Sequence, residues 1–139
     1  TPPLLAGAPR GGGRPPPPPL PGDISIAVEV GPTVAEYGTR LCRDPIVNSG
    51  DSKGYYSRHV TDRLLRAAER CQYQPQAALL VDFASDASAL LSHGEAAQVG
   101  CIGIPTENTH GFEIVLEEGI EACRRTLVEF LVQPPDDEA

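Results

Sequence analysis

From Asp23 onward the chain alternates apolar and polar residues, then turns apolar through Ala27-Val28-Glu29-Val30 and stops at Gly31-Pro32. That pattern predicts a β-strand with a carboxylate, Glu29, one residue from its carboxyl end. Residues 33–44 show no period and read as a loop. Pro45 to Asn48 forms a short strand ended by the turn-rich Ser49-Gly50-Asp51-Ser52. From Ser57 to about Cys71 the spacing becomes helical: Val60, Leu64, Ala68 and Cys71 share a face with Leu65 beside them. Arg58, Asp62, Arg66, Glu69 and Arg70 point elsewhere. Ser57 is placed to cap this helix with its hydroxyl. Ala77–Phe83 and Val99–Ile104 are apolar runs short enough for buried strands, the second broken at Pro105. Between them Ser85-Asp86 opens a short helix that runs to about Ser92 and closes at Gly94. A last helix covers Glu117 to Val132, with Ile120, Cys123, Leu127 and Leu131 as its apolar stripe. Glu117, Glu118 and Glu121 suit the positive end of its dipole, and Pro134-Pro135 stops it.

The order strand, strand, helix, strand, helix, strand, helix predicts an α/β layered sheet of the three-layer αβα kind. Composition changes the picture at both ends. Residues 1–22 hold nine of the fifteen prolines and five of the fourteen glycines, so they neither form a helix nor bury apolar surface. They read as a disordered Pro/Gly-rich leader, with Pro15 to Pro19 in polyproline II. Residues 23–133 form the domain, and 134–139 an acidic tail. Two arginines fall in the leader, so residues 23–139 carry nine basic and nineteen acidic groups, a net of −10. That balance argues against nucleic acid and anionic membrane as partners, which both demand clustered positive charge. Cys42, Cys71, Cys101 and Cys123 make no C-x-x-C pair and read as reduced thiols rather than a zinc cluster. With no apolar run of transmembrane length and no signal-peptide core, a soluble cytoplasmic protein is expected.

Chemistry concentrates at two strand ends. The stretch Gly103 to Glu113 leaves a buried strand at Pro105 and carries His110 into a polar loop before a helix. Ligands of open α/β sheets bind just beyond strand carboxyl ends. Taken singly, Glu29 reads as a solvated strand-end carboxylate and His110 as an exposed loop histidine. Together they make an oxygen and nitrogen donor pair suited to zinc, cobalt or manganese. Ser85-Asp86 reads first as a helix cap and second as a substrate contact. His59 and His93 lack partner acids at ligand spacing, and Glu117-Glu118 has the dipole explanation. No G-x-S-x-G elbow supplies a serine nucleophile, and Gly11-Gly12-Gly13 neither follows a strand nor opens a helix.

Three pieces in this order resemble the C-terminal part of the catalytic domain of dinuclear metallo-aminopeptidases, the family of tetrahedral and deblocking aminopeptidases. They are Ala27-Val28-Glu29-Val30-Gly31-Pro32, Ser85-Asp86-Ala87, and Ile104-Pro105-Thr106-Glu107-Asn108-Thr109-His110-Gly111-Phe112-Glu113. The resemblance implies that Glu29 ligates one metal and His110 the other of a pair of divalent ions, with Ser85 and Asp86 shaping the substrate cleft. Most relatives have aspartate where Glu29 stands. It further implies a peptide substrate and assembly into homo-oligomers.

The family's first metal-binding histidine, its bridging aspartate and its adjacent glutamates (base and ligand) precede the strand of Glu29. Residues 1–22 contain no histidine, aspartate or glutamate. No trace of the family's inserted β-rich domain is present either. The resemblance therefore leads to an expectation of a metal-dependent aminopeptidase domain that is incomplete and inactive as this chain, with no catalytic residue of its own. Two other functions fit the residues: a non-catalytic interaction module whose proline run docks a partner, and a metal-dependent amidase or deacylase of the same fold.

Overall fold

A computed structural model describes residues 21–133. The proline run, all but Pro21 and Gly22 of the leader, and the acidic tail lie outside the described residues. The elements in order are β1 (Ile24–Pro32), a 3-10 turn (Ala35–Tyr37), β2 (Ile46–Asp51), β3 (Gly54–Tyr55) and α1 (Arg58–Arg70). After them come β4 (Gln76–Leu80), α2 (Asp86–Ser92), β5 (Gln98–Glu107), β6 (Ile114–Val115) and α3 (Glu117–Val132).

The long strands lie in the order β1–β5–β2–β4. β1 and β5 are parallel, β2 and β4 are parallel, and the two pairs meet antiparallel where Ile46 faces Gly103 and Asn48 faces Cys101. The two-residue strands β3 and β6 extend β2 and β5. The helices cover both faces of the sheet, giving the three-layer αβα arrangement expected. On one face α1 and α3 pack Val60, Leu64, Ala67 and Phe130 on Val47, with Ile24 and Ile26 beside them. On the other, Ala87 of α2 packs with Val99, Cys101 and Tyr56. Burial of these side chains is the main stabilising term, because each removes apolar surface from water.

Several elements depart from the sequence expectation. Pro105 does not end β5. Gly103 is the last β5 residue paired with β2 and Thr106 the first paired with β6. Pro105 thus sits where that side has no partner to lose, while the Thr106 carbonyl accepts the Thr33 N–H at 3.2 Å on the other side. The run Ala77–Phe83 is not a fully buried strand: β4 pairs only with β2, and its burial alternates, with Ala78 and Leu80 inside and Ala77 and Leu79 exposed. Ser57 occupies the cap position of α1 without a capping bond; its hydroxyl accepts the Val99 N–H at 3.1 Å, tying the helix start to β5.

The largest departure is the face of α3. Its buried residues are Gly119, Ala122, Cys123, Thr126 and Phe130, whereas Ile120 is 49% exposed and Leu131 76% exposed. The start of α3 lies beside β5: a Cβ at Gly119 would be in ordinary contact with the Cys42 carbonyl oxygen and with Ile104 and Pro105, at 3.6–3.7 Å. Near the other end of α3 the buried Arg63 of α1 donates to the Phe130 carbonyl at 3.3 Å and lies over the Phe130 ring at 4.2 Å. Among the described residues all four cysteines are free, and no helix is long and apolar enough to cross a membrane.

Candidate functional site

A cleft on the α2 face of the sheet gathers residues from five parts of the chain. The carboxyl end of β1 supplies Glu29, Val30, Gly31 and Pro32; β2 supplies Ile46, Asn48 and Asp51. The β4–α2 connection adds Leu80, Phe83, Ala84 and Ser85, β5 adds Cys101 and Gly103, and the following loop adds Thr109 and His110. The cleft opens to solvent and has a volume of about 90 Å³. Its floor depends on two facing glycines. A Cβ on Gly103 would stand 2.9 Å from the Gly31 Cα, and one on Gly31 would stand 2.7 Å from Ile46 Cδ1.

Glu29 and His110 therefore come to one cleft from residues far apart in sequence. Glu29 is half-buried, and its Oε1 accepts the Asp86 N–H at 3.1 Å, at the start of α2. Burial pushes its carboxyl above the usual range; the Asp86 amide opposes that, the Asp86 and Asp51 charges add to it, and His110 pulls it back. His110 is exposed, in the left-handed region at φ 66°, and its backbone N–H donates to Glu113 Oε1 at 3.1 Å. This contact closes a turn in which Gly111 N–H donates to the Asn108 carbonyl at 2.9 Å.

Ser85 and Asp86 occupy different places. Ser85 lines the cleft and caps α2 by a reciprocal box: its Oγ accepts the Ser88 N–H at 3.4 Å, and its own N–H reaches Ser88 Oγ at 3.3 Å. Asp86 is exposed and touches the site through its backbone amide.

Beneath these residues lies a buried polar network that sequence reasoning missed. Asp51 is 7% exposed, and Tyr56 is 6% exposed. The Tyr56 hydroxyl donates to Asp51 Oδ2 at 2.6 Å and stands 2.6 Å from Ser85 Oγ. Asp51 also accepts the Ser85 N–H at 3.0 Å and the Lys53 N–H at 2.8 Å, and Asn48 Nδ2 reaches the Tyr56 hydroxyl at 3.4 Å. Burial works to raise the Asp51 pKa, but the Tyr56 hydroxyl and the backbone amides outweigh it and leave it below the usual value. Asp51 is thus ionised, with hydrogen bonds meeting its charge. Burial pushes the Tyr56 hydroxyl well up and the Cys101 thiol up to about 12, so both stay protonated at neutral pH. The only sequence signal for this network was Asp51 in a turn-rich tetrad, which reads locally as a loop.

The donor set can be tested against a metal directly. Glu29 and His110 are hard-oxygen and imidazole donors at one cleft, but among the described residues no group of three or more His, Cys, Asp or Glu is arranged to hold an ion. The described residues thus fit a contribution to a metal centre and not a closed one.

A model of the M42 glutamyl aminopeptidase family matches residues 15–126. Solved structures with this fold include a TET aminopeptidase from a marine-sediment Thaumarchaeota archaeon, 18% identical, with a TM-score of 0.70 over 77% of this chain and 32% of that one. An aminopeptidase from the archaeon Desulfurococcus kamchatkensis gives 21% identity and a TM-score of 0.69 over 79% of this chain and 34% of its own. The Pyrococcus horikoshii TET1 peptidase, which can assemble into a tetrahedron or a large octahedral shell, gives 20% and 0.60 over 76% and 32%. The chain spans about a third of the length of these relatives. No curated protein matches it.

Proposed function

The chain belongs to the M42 glutamyl aminopeptidase family, and we propose that it contributes Glu29 and His110, from one rim of its sheet, to the divalent-metal centre of a peptidase that removes residues from peptide N-termini. The observation that carries this reading is the meeting of both side chains at one cleft lined by β1, β2, β5 and the β4–α2 connection. Zinc, cobalt and manganese all suit the pair. A metal bound there, one of two in a complete site, would polarise the scissile carbonyl and lower the pKa of a water. Ser85 shapes the wall beside Glu29, and the Asp86 N–H holds the Glu29 carboxylate through Oε1. The Asn108–Gly111 turn holds His110 at the opposite lip.

Among the described residues no third ligand joins this pair, and catalytic silence of this chain by itself is part of the same proposal. Self-association belongs to the same reading, as in the assembling TET1 peptidase, and so does a cytoplasmic location, which four unpaired cysteines suit.

Metal uptake tests the proposal without needing turnover. Titration of the chain with Co²⁺, followed by its visible absorbance, is expected to show one weak site per chain. Glu29→Gln and His110→Ala should each weaken it roughly tenfold or more, at least the loss that follows removal of a ligand's supporting contact. Uptake unaffected by either substitution overturns the assignment. Metal-dependent, saturable cleavage of an aminoacyl substrate by the chain alone overturns its inactivity.

A further inference from the structure

The two rims of the sheet are finished differently. On one side β4 ends the sheet with five residues, beside the register shift of β2. On the other, β1 runs for nine residues and pairs only with β5 among the described residues, so its second row of amides and carbonyls is open. Natural sheet edges are blunted by being short, charged or bulged. β1 is none of these: its one ionisable side chain, Glu29, turns to the cleft, and its one proline, Pro32, stands at the end. Ile24 and Ile26 pack under α1 and α3, and by alternation Val28 and Val30 share that face, where they are 55% and 37% exposed.

α3 continues the open side one layer above. Gly119 lies against Ile104, the partner of Val30, whereas Leu127 and Leu131 line one groove with Ile24 and Ile26. The helix thus runs antiparallel to β1 and brings the exposed Leu131, with the exposed Val128 one turn before it, to the same rim. The groove's two charged residues, Asp23 and Arg63, are of opposite sign.

We propose that this rim pairs with the same rim of a second copy of the chain, β1 against β1 in antiparallel order about a two-fold axis. Pairing of one strand with itself in this way is isologous, so it closes at two and leaves β1 no free edge. With the axis at Ala27, Val28 faces the partner's Ile26 and Val30 faces the partner's Ile24, so the apolar row meets itself. Glu29 then faces the partner's Ser25 and not a like charge. The chain has a net charge of −8, and a rim this poor in acids is where two copies meet with least repulsion. Nine residues at about 3.3 Å each make the rim about 30 Å long, and a strand with a helix above it stands about 20 Å tall. The contact is therefore roughly 600 Å² per copy, or about 1,200 Å² in all, the lower limit of specific interfaces. The dimer is accordingly weak, with a dissociation constant on the order of 50 µM, and the chain at about 1 µM is monomeric. This gives the self-association proposed above a surface, and it stands apart from metal uptake, which the cobalt titration decides.

Sedimentation velocity of the intact chain, without metal, from about 1 to about 500 µM is expected to pass from a 14.7 kDa monomer to a dimer. Added salt should leave the dimer in place, since few charges hold it. Amide hydrogen exchange across Ile24–Val30 should slow as the dimer fraction rises, which contact through α3 alone would not produce. Val28→Lys puts a charge into the paired row and Leu131→Asp one beside it, and each should weaken dimerisation at least about tenfold. Both positions are exposed, so the fold is kept, and circular dichroism checks that. Phe112→Ser removes the 87% exposed ring of the His110 loop, away from β1, and should change nothing. A chain that stays monomeric at about 500 µM overturns the inference. So does a dimer that either charged substitution leaves unchanged, one lost with Phe112→Ser, or one that forms without slowing the β1 amides. Should a variant fail to fold, concentration-dependent protection of those amides in the unsubstituted chain still decides.

Discussion

Tyr56→Phe removes a single oxygen from the centre of the buried network and leaves the ring packing in place. The hydroxyl donates to Asp51 Oδ2 at 2.6 Å and lies 2.6 Å from Ser85 Oγ, with the residue 6% exposed. A hydrogen bond to a charged group contributes about 1.5–3 kcal/mol. Asp51 would keep its bonds from the Ser85 and Lys53 amides, at 3.0 and 2.8 Å, so its charge would stay partly compensated. The expected loss is therefore about 2 kcal/mol at pH 7. For a small domain with a urea slope near 2 kcal/mol per molar, that lowers the unfolding midpoint by about 1 M.

The pH dependence carries a sign that a generic packing defect would not. Asp51 has a depressed folded pKa, so its contribution is fully present above the unfolded value of about 3.9 and is lost as pH falls through the folded one. The variant raises that folded pKa toward the ordinary value, so the gap between the two proteins should be full at pH 7 and shrink below about pH 4. Urea unfolding followed by far-ultraviolet circular dichroism at pH 7 and pH 3 measures both quantities. A loss under about 0.5 kcal/mol at pH 7, or a gap of the same size at pH 3, refutes the role given to this hydroxyl.

Gly103→Ala should destabilise by about 1–3 kcal/mol in the same unfolding assay, because its Cβ would stand 2.9 Å from the Gly31 backbone with no side chain able to yield. Thr126→Val should leave the thermal midpoint unchanged or raise it, since the Thr126 hydroxyl is fully buried and has no hydrogen-bond partner among the described residues. The two neighbours at the end of α3 should separate sharply in urea. Phe130→Ala should cost about 3–5 kcal/mol as a buried aromatic removed from beneath Arg63, and Leu131→Ser less than about 0.5 kcal/mol as a solvated position.

That last pair also shows why some of this fold was legible in the chain and some was not. The α2 cap could be read because every partner lies within four residues: Ser85, Ser88 and the helix between them form one local unit. Glu29 could be placed near a strand end because alternation runs into Gly31-Pro32, where β1 stops, whereas His110 follows a strand that runs on past Pro105 to Glu107. The face of α3 was half legible: Cys123 and Leu127 of the expected stripe turn inward, but Ile120 and Leu131 do not. What fits against β5 and α1 is a line of small side chains, Gly119, Ala122 and Thr126, which carry little hydropathy, while the larger Ile120 and Leu131 face water. A periodicity weighted by hydropathy turns the helix toward its bulky side.

The polar network was hidden for a related reason. Asp51 finds Ser85 across 34 positions, and it lies just past the register shift that β2 makes after Asn48 as it pairs with β4. A bulge of that kind aims one side chain and leaves almost no local mark, since Ser49-Gly50-Asp51-Ser52 has the composition of any turn. The same limit applies to Pro105, whose tolerance depends on where two other strands stop. Residues that answer to their immediate neighbours declare themselves in order along the chain. Residues that answer to the gaps between strands, as Asp51 and Pro105 do here, become readable only once the pairing is known.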